Sequence, residues 1–133
     1  MKRQQLIAEL DAFLHPELYK DYAPNGLQVQ GKDEVSRIVT AVSATQNVID
    51  QAIALKADAL LVHHGWFWRN ENPVVVGIKH KRLRALMGAD INLIAYHLPL
   101  DAHETVGNNA QMATLLGAKD IMRGGEGNLV RFN

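Results

Sequence analysis

Three apolar runs, each followed by a stretch with helical spacing, limit the fold of this chain more than any other feature. The first, VSRIVTAVSA at 35–44, is rich in β-branched residues and apolar on both faces. It leads into TQNVIDQAIALKA at 45–57, where Thr45 is placed to cap a helix. Val48, Ile49, Ala52, Ile53 and Leu55 fall on or near the inner face of that helix. The second run, DALLVHH at 58–64, precedes GIKHKRLRALMGA at 77–89, with Leu83, Leu86 and Met87 inward. The third, INLIAYHL at 91–98, precedes GNNAQMATLLGA at 107–118, a helix ending near Gly117. Apolar strands connected through helices belong in a parallel sheet, because the crossover helices cover its faces. The expected fold is α/β: a mainly parallel sheet flanked by helices, built from three consecutive βα units.

Before these units, LIAELDAFL at 6–14 sets Leu6, Ile7, Leu10, Phe13 and Leu14 at helical spacing, and His15-Pro16 ends the helix. DYAPNGLQVQGKD at 21–33 is turn-rich around a short extended piece at Leu27 to Val29. At 133 residues the chain fits one α/β domain, with 14 basic residues against 14 acidic ones. That balance gives no support for nucleic-acid or membrane-surface binding, both of which draw on positive charge. The absence of cysteine excludes disulfides, thiolate nucleophiles and Cys-based metal sites. No window approaches the roughly 20 apolar residues of a membrane span, and the first residues do not form a signal peptide. The expected location is cytoplasmic. The Gly-rich ending, MRGGEGNLVRFN at 122–133, reads as a loop followed by an edge strand, interrupting a fold rather than finishing it.

Chemistry collects where two of the strands end. Ligands of parallel α/β sheets sit beyond the carboxyl ends of the strands. His63 and His64 close the second strand, and His97, Asp101 and His103 follow within seven positions at the end of the third. Parallel strands joined by one helix have their carboxyl ends on one edge, so the two groups are expected to be neighbours. Imidazoles with a carboxylate and no thiolate suit Zn, Mn, Fe, Co or Ni. Adjacent histidines on a regular strand point to opposite sides. They therefore hold one ion each of a pair, or one binds while the other supports it, with Asp101 as a terminal or bridging ligand. His15 and His80 read as structural or solvated, and Asn108 or Asn109 as a helix cap. The aromatics of GWFWRN suit either a flat ligand or a subunit contact. No Walker loop, dinucleotide fingerprint or G-x-S-x-G elbow is present.

APNGLQVQG, ADALLVHHGWFW and GIKHKRLRALMGADINLIAYHLPLDAHETVGNNAQMATLLG, in this order, resemble the amino-terminal half of the GTP cyclohydrolase 1 type 2 homologues, the NIF-three-like family. The likeness runs from about Asp21 to Gly117 and is closest to short bacterial members. It implies a dinuclear divalent-metal site in an α/β fold assembled as a toroidal homohexamer. His63, His64 and Asp101 match the family's ligands. His97 matches the histidine of its H-x-x-x-D motif, in or just outside the ligand shell, with His97 or nearby carboxylates as partners for the ligand imidazoles. The family completes its site with a late H-x-x-E. No such motif occurs here, and the only acids after Asp101 are Glu104, Asp120 and Glu126. The resemblance thus implies that residues 1–133 are the amino-terminal part of a longer protein.

The function expected on these grounds is metal-dependent hydrolysis of a nucleotide or other small molecule, with His97 as acid or base. A non-catalytic, ring-forming protein that uses its metals structurally or for regulation is the alternative.

Overall fold

A computed structural model describes residues 1–119, 121–124 and 129–131 of the chain. Helix α1 (Arg3–Leu14) ends at His15 in the left-handed region and is followed by a 3-10 turn at Pro16–Leu18. The elements after it are β1 (Gly26–Val29), β2 (Ile38–Ser43), α2 (Gln46–Ala54), β3 (Ala59–His64), α3 (Gly77–Gly88) and β4 (Asn92–Ala95). Two helices follow, α4 (Leu98–Ala102) and α5 (Asn108–Leu115), and then an antiparallel pair, β5 (Met122–Gly124) and β6 (Leu129–Arg131). The main sheet runs β1-β4-β3-β2, with β2, β3 and β4 parallel and β1 antiparallel to β4. The expected α/β sheet with helices on both faces is therefore present. The Gly-rich ending carries a two-stranded ribbon where a loop and one edge strand were expected, and Asp120 and Glu126 lie outside the described residues.

Strand β3 shows how the layers form. Successive side chains alternate between faces. Leu60 and Val62 enter the core beneath α2 and α3, with Ile49, Ala52, Leu86, Leu93 and Ala95. Ala59 and Leu61 enter the opposite core under α1, with Leu6, Leu14, Ile94 and Tyr96. Burying a leucine such as Leu60 or Leu93 on one of these faces stabilises the fold by about 2 kcal/mol. Thr45 caps α2 as expected, its hydroxyl accepting from Val48 N at 3.3 Å.

Three apolar expectations are corrected. Strand β2 is not buried on both faces: it is the sheet edge, and Ile38 and Val42 are exposed. Met87 points to solvent, since α3 presents Leu83 and Leu86 to the core, and Ile53 and Leu55 at the end of α2 are also exposed.

At the amino edge of the sheet, Asp58 anchors the entry to β3. Its carboxylate accepts from Lys32 Nζ at 2.8 Å, Ser36 N at 3.0 Å and Arg37 N at 2.9 Å. These donors, Lys32 first, hold its pKa at about 2, below the ordinary 3.8. A lowered carboxyl pKa contributes stability that is complete above the unfolded value and is lost as pH falls through the folded one. Asp58→Ala is expected to lower unfolding free energy by about 2 kcal/mol near neutrality. In urea titrations that deficit shrinks between about pH 4 and pH 2; an undiminished deficit at the acid end would contradict the electrostatic assignment.

Candidate metal centre

The parallel register carries the two histidine groups to one edge. Val62 pairs with Ala95 and Ser43 with His64, so β3 runs past the end of β4, with β2 still beside it, and its last two imidazoles lie at the carboxyl edge of the sheet. His63 and His64 leave opposite faces of the strand, yet their rings fold over this edge to centroids 4.4 Å apart. The expectation that neighbouring histidines on a strand stay apart fails here, because the pleat directs Cβ but does not confine a long side chain at an open edge. His97, just past β4, lies 5.0 Å from His63 and 5.7 Å from His64 between centroids. One ring nitrogen from each of the three lies within 4.8 Å of the others, close enough to hold a metal ion.

Each imidazole is held from outside by its Nδ1. His63 Nδ1 donates to Tyr96 O at 3.1 Å, His64 Nδ1 bonds Ser43 Oγ at 3.0 Å, and His97 Nδ1 donates to Asp21 Oδ1 at 2.8 Å. The partners of His63 and His97 are pure acceptors, so those Nδ1 atoms carry the proton and the Nε2 lone pairs are left for the centre. Asp101, in the first turn of α4, places Oδ1 3.3 Å from His63 Nε2 and Oδ2 3.9 Å from His97 Nε2. Asn108 Nδ2 donates to Asp101 Oδ1 at 2.8 Å and sits 3.5 Å from His63 Nε2. Three imidazoles beside a carboxylate, with their Nδ1 atoms already engaged, fit a borderline divalent cation.

Four of the five residues that the sequence places at these strand ends, His63, His64, His97 and Asp101, thus meet. His97 stands among the imidazoles as a third member of the group, not outside it. The outer partners of His63 and His64 are Tyr96 O and Ser43, not His97 or a carboxylate. Asn108 does not cap α5: the cap position is Gly107, without a side-chain bond, and the Asn108 amide turns to the site. His103 stays out of the cluster, its Nδ1 accepting from Thr105 N and Val106 N and its ring on Phe13. Of the three aromatics after the histidines, Trp66 belongs to the core, with its indole N–H on Ala44 O, and Phe67 lies under Lys79. Only Trp68 borders the site, edge-on to His97 at 4.9 Å.

Asp21, Asn25 and Gln28 are the residues whose part was not anticipated. Asn25 Oδ1 accepts from His97 N at 2.8 Å, and Gln28 Oε1 accepts from Trp66 N at 2.7 Å. NGLQ reads as an ordinary turn by local pattern, and only its presence in the family-like segment pointed to it.

Burial tends to raise the Asp21 carboxyl, but bonds from His97, Leu98 N, Asn25 and Tyr22 N outweigh it and hold the pKa below the usual value. Burial first, and then the charges of His63 and His97, push His64 down, with Asp101 opposing.

Comparison with known proteins identifies the family and the fold. Residues 1–127 match the model of a family described as Duf34/NIF3 (NGG1p interacting factor 3). The chain is 59% identical over 117 residues to a GTP cyclohydrolase 1 type 2 homolog of Vibrio cholerae, covering 88% of this chain and 46% of that protein. It is 52% identical over 128 residues to the Neisseria meningitidis serogroup A protein of the same name, covering 96% and 51%. The chain therefore spans about half the length of the curated relatives it matches. A solved structure described as "protein ybgI, unknown function" superposes with a TM-score of 0.90 at 51% identity, covering 92% of this chain and 49% of that one. Reduced HcgD from Methanocaldococcus jannaschii superposes with a TM-score of 0.82 at 26% identity, covering 92% and 50%. Among the described residues no helix is long and apolar enough to cross a membrane.

Two tests follow from the packing and charge of the site. A Cβ on Gly65 would overlap Gln28 Oε1 and stand 2.7 Å from Ala95 Cβ. Gly65→Ala is expected to destabilise by about 2 kcal/mol in chemical denaturation, with Gln28→Ala recovering part of the loss; additive effects of the two changes would refute the clash. Because His64 titrates below its ordinary 6.5, the stability tied to its neutral form is present above that value and lost as pH falls. The thermal midpoint should decline from about pH 7 to pH 5, and His64→Gln should flatten that part of the decline. An unchanged slope in the variant would assign the acid sensitivity elsewhere.

Proposed function

The chain belongs to the Duf34/NIF3 family, and from that premise we propose that it carries the amino-terminal share of a dinuclear divalent-metal hydrolase. The observation that carries the reading is the set of three imidazoles whose Nδ1 atoms are all engaged outward. In this reading His63, His64 and Asp101 bind the ions, and further ligands come from a longer protein, since the chain covers about half of its relatives. Bound divalent cations would lower the pKa of a coordinated water toward about 7 and polarise the substrate.

The residues themselves do the rest. Asp101 offers a carboxylate toward both His63 and His97, a placement suited to bridging. Trp68 walls one side of His97, edge-on at 4.9 Å. His97 presents Nε2 at the centre, where it completes the coordination or moves a proton between water and leaving group. A nucleotide is the substrate class proposed first, because the relatives are named GTP cyclohydrolase 1 type 2 homologs. The same constellation serves phosphoester or amide hydrolysis. A homohexameric ring is part of the proposal.

The decisive experiment is elemental analysis of the full-length protein beside His63→Ala/His64→Ala, with mass measured by light scattering. About two transition-metal ions per complete subunit, lost in the double variant and accompanied by hydrolysis of nucleotides, is the expected result. Bound metal without hydrolysis of nucleotides, phosphoesters or amides would replace the hydrolase with a non-catalytic metal-binding ring. Metal-free wild type, or equal metal in both proteins, would make the histidines structural.

A further inference from the structure

His97 is the imidazole least constrained by its own element. It follows the last residue of β4 and precedes α4, with φ −99° and ψ −94°, so neither a sheet pleat nor a helix directs its ring. The orientation comes instead from a loop more than seventy residues earlier. Asn25 Oδ1 accepts from His97 N at 2.8 Å and fixes the backbone. Asp21 Oδ1 accepts from His97 Nδ1 at 2.8 Å and fixes the ring.

Asp21 is buried and held as an acceptor. Its side chain is 3% exposed. Oδ1 also accepts from Tyr22 N at 2.6 Å, and Oδ2 accepts from Asn25 Nδ2 at 3.0 Å and Leu98 N at 2.8 Å. A carboxylate facing four donors can only accept, so the His97 nitrogen turned to it must hold a proton. The loop is itself tied to the one carrying Trp68. Arg69 Nη2 donates to Asp21 O at 2.9 Å, Arg69 N donates to Tyr22 O at 2.6 Å, and the Arg69 guanidinium lies over the Tyr22 ring at 5.6 Å. Asp21 and Trp68, on two loops tied together in this way, both contact His97.

We propose that Asp21 is the positioning residue of this site, holding His97 as the tautomer with its proton on Nδ1 and its bare Nε2 aimed at His63 and Asp101. The inference deepens the metal-centre reading and rests on it for what the bare nitrogen does. The tautomer itself stands without that reading. Carboxylate–imidazole pairs of this kind orient metal-binding histidines and raise their basicity. The role is distinct from merely capping α4 through Leu98 N, which would leave the imidazole proton indifferent to Asp21.

The test is nitrogen-15 NMR of the histidine rings in the metal-free protein at mildly alkaline pH, followed by calorimetric titration with Zn²⁺. Wild-type His97 is expected to show a protonated Nδ1 and an unprotonated Nε2. In Asp21→Asn, which preserves volume, and in Asp21→Ala, the proton should redistribute toward Nε2, with Zn²⁺ affinity falling about 10- to 100-fold. Asp58→Ala, which removes the carboxylate that anchors the amino edge of the sheet and has no contact with the site, should keep the wild-type tautomer. A wild-type His97 protonated on Nε2 would overturn the proposal even if no variant folds. So would a folded Asp21 variant with an unmoved tautomer and unchanged affinity. If the tautomer shifts as expected but the wild type takes up no Zn²⁺, Asp21 keeps its positioning role and the metal reading is the one that falls.

Discussion

Strand β3 is the constraint on which the rest of the molecule depends. It is hydrogen-bonded on both sides, between β2 and β4, and covered on both faces, so its six residues have almost no freedom of register. A one-residue slip would send Leu60 and Val62 from the α2–α3 core to the α1 side and reverse every contact of the strand. The same register decides how far β3 runs beyond β4, and therefore that His63 and His64 emerge at an edge instead of inside a layer. The site is held in place by the core because it is the continuation of the core.

What the strand delivers, the surrounding loops and helices orient. An imidazole binds a cation only through a bare nitrogen, and the choice of nitrogen rests with whatever engages the other one. Here two unrelated parts of the fold make that choice, a backbone carbonyl after β4 for His63 and the loop at 21–25 for His97, while the last residue of the edge strand engages Nδ1 of His64. Gly65 belongs to the same design. It lets the chain turn beneath Gln28 and Ala95, so that Trp66 drops into the core and Trp68 returns to the site.

Much of this was legible in the residues. Apolar, β-branched runs and helical spacing located the three βα units, and the carboxyl-end rule for parallel sheets was enough to join His63 and His64 with His97 and Asp101. Burial was less legible. Val42 and Ile38 look like core residues in one dimension, but position in the sheet makes β2 an edge, and edge membership is a property of the whole topology. Met87 was misread for a related reason: on a short helix with cations throughout, the buried arc is set by the angle at which α3 meets the sheet. Asp21 and Asn25 were illegible locally, since a turn-forming aspartate or asparagine looks the same whether or not a histidine seventy residues away needs an acceptor.

Taken alone, the sequence determined the class of fold, the order of its units and the gathering of His63, His64, His97 and Asp101 at one edge, because each follows from short-range pattern or from the carboxyl edge of a parallel sheet. Tertiary structure decided which nitrogen of each imidazole faces inward, that neighbouring histidines share one space, and that Asp21, Ser43 and Asn108 take part. Those outcomes depend on distances between segments far apart in the chain, and such distances exist only once the layers have packed.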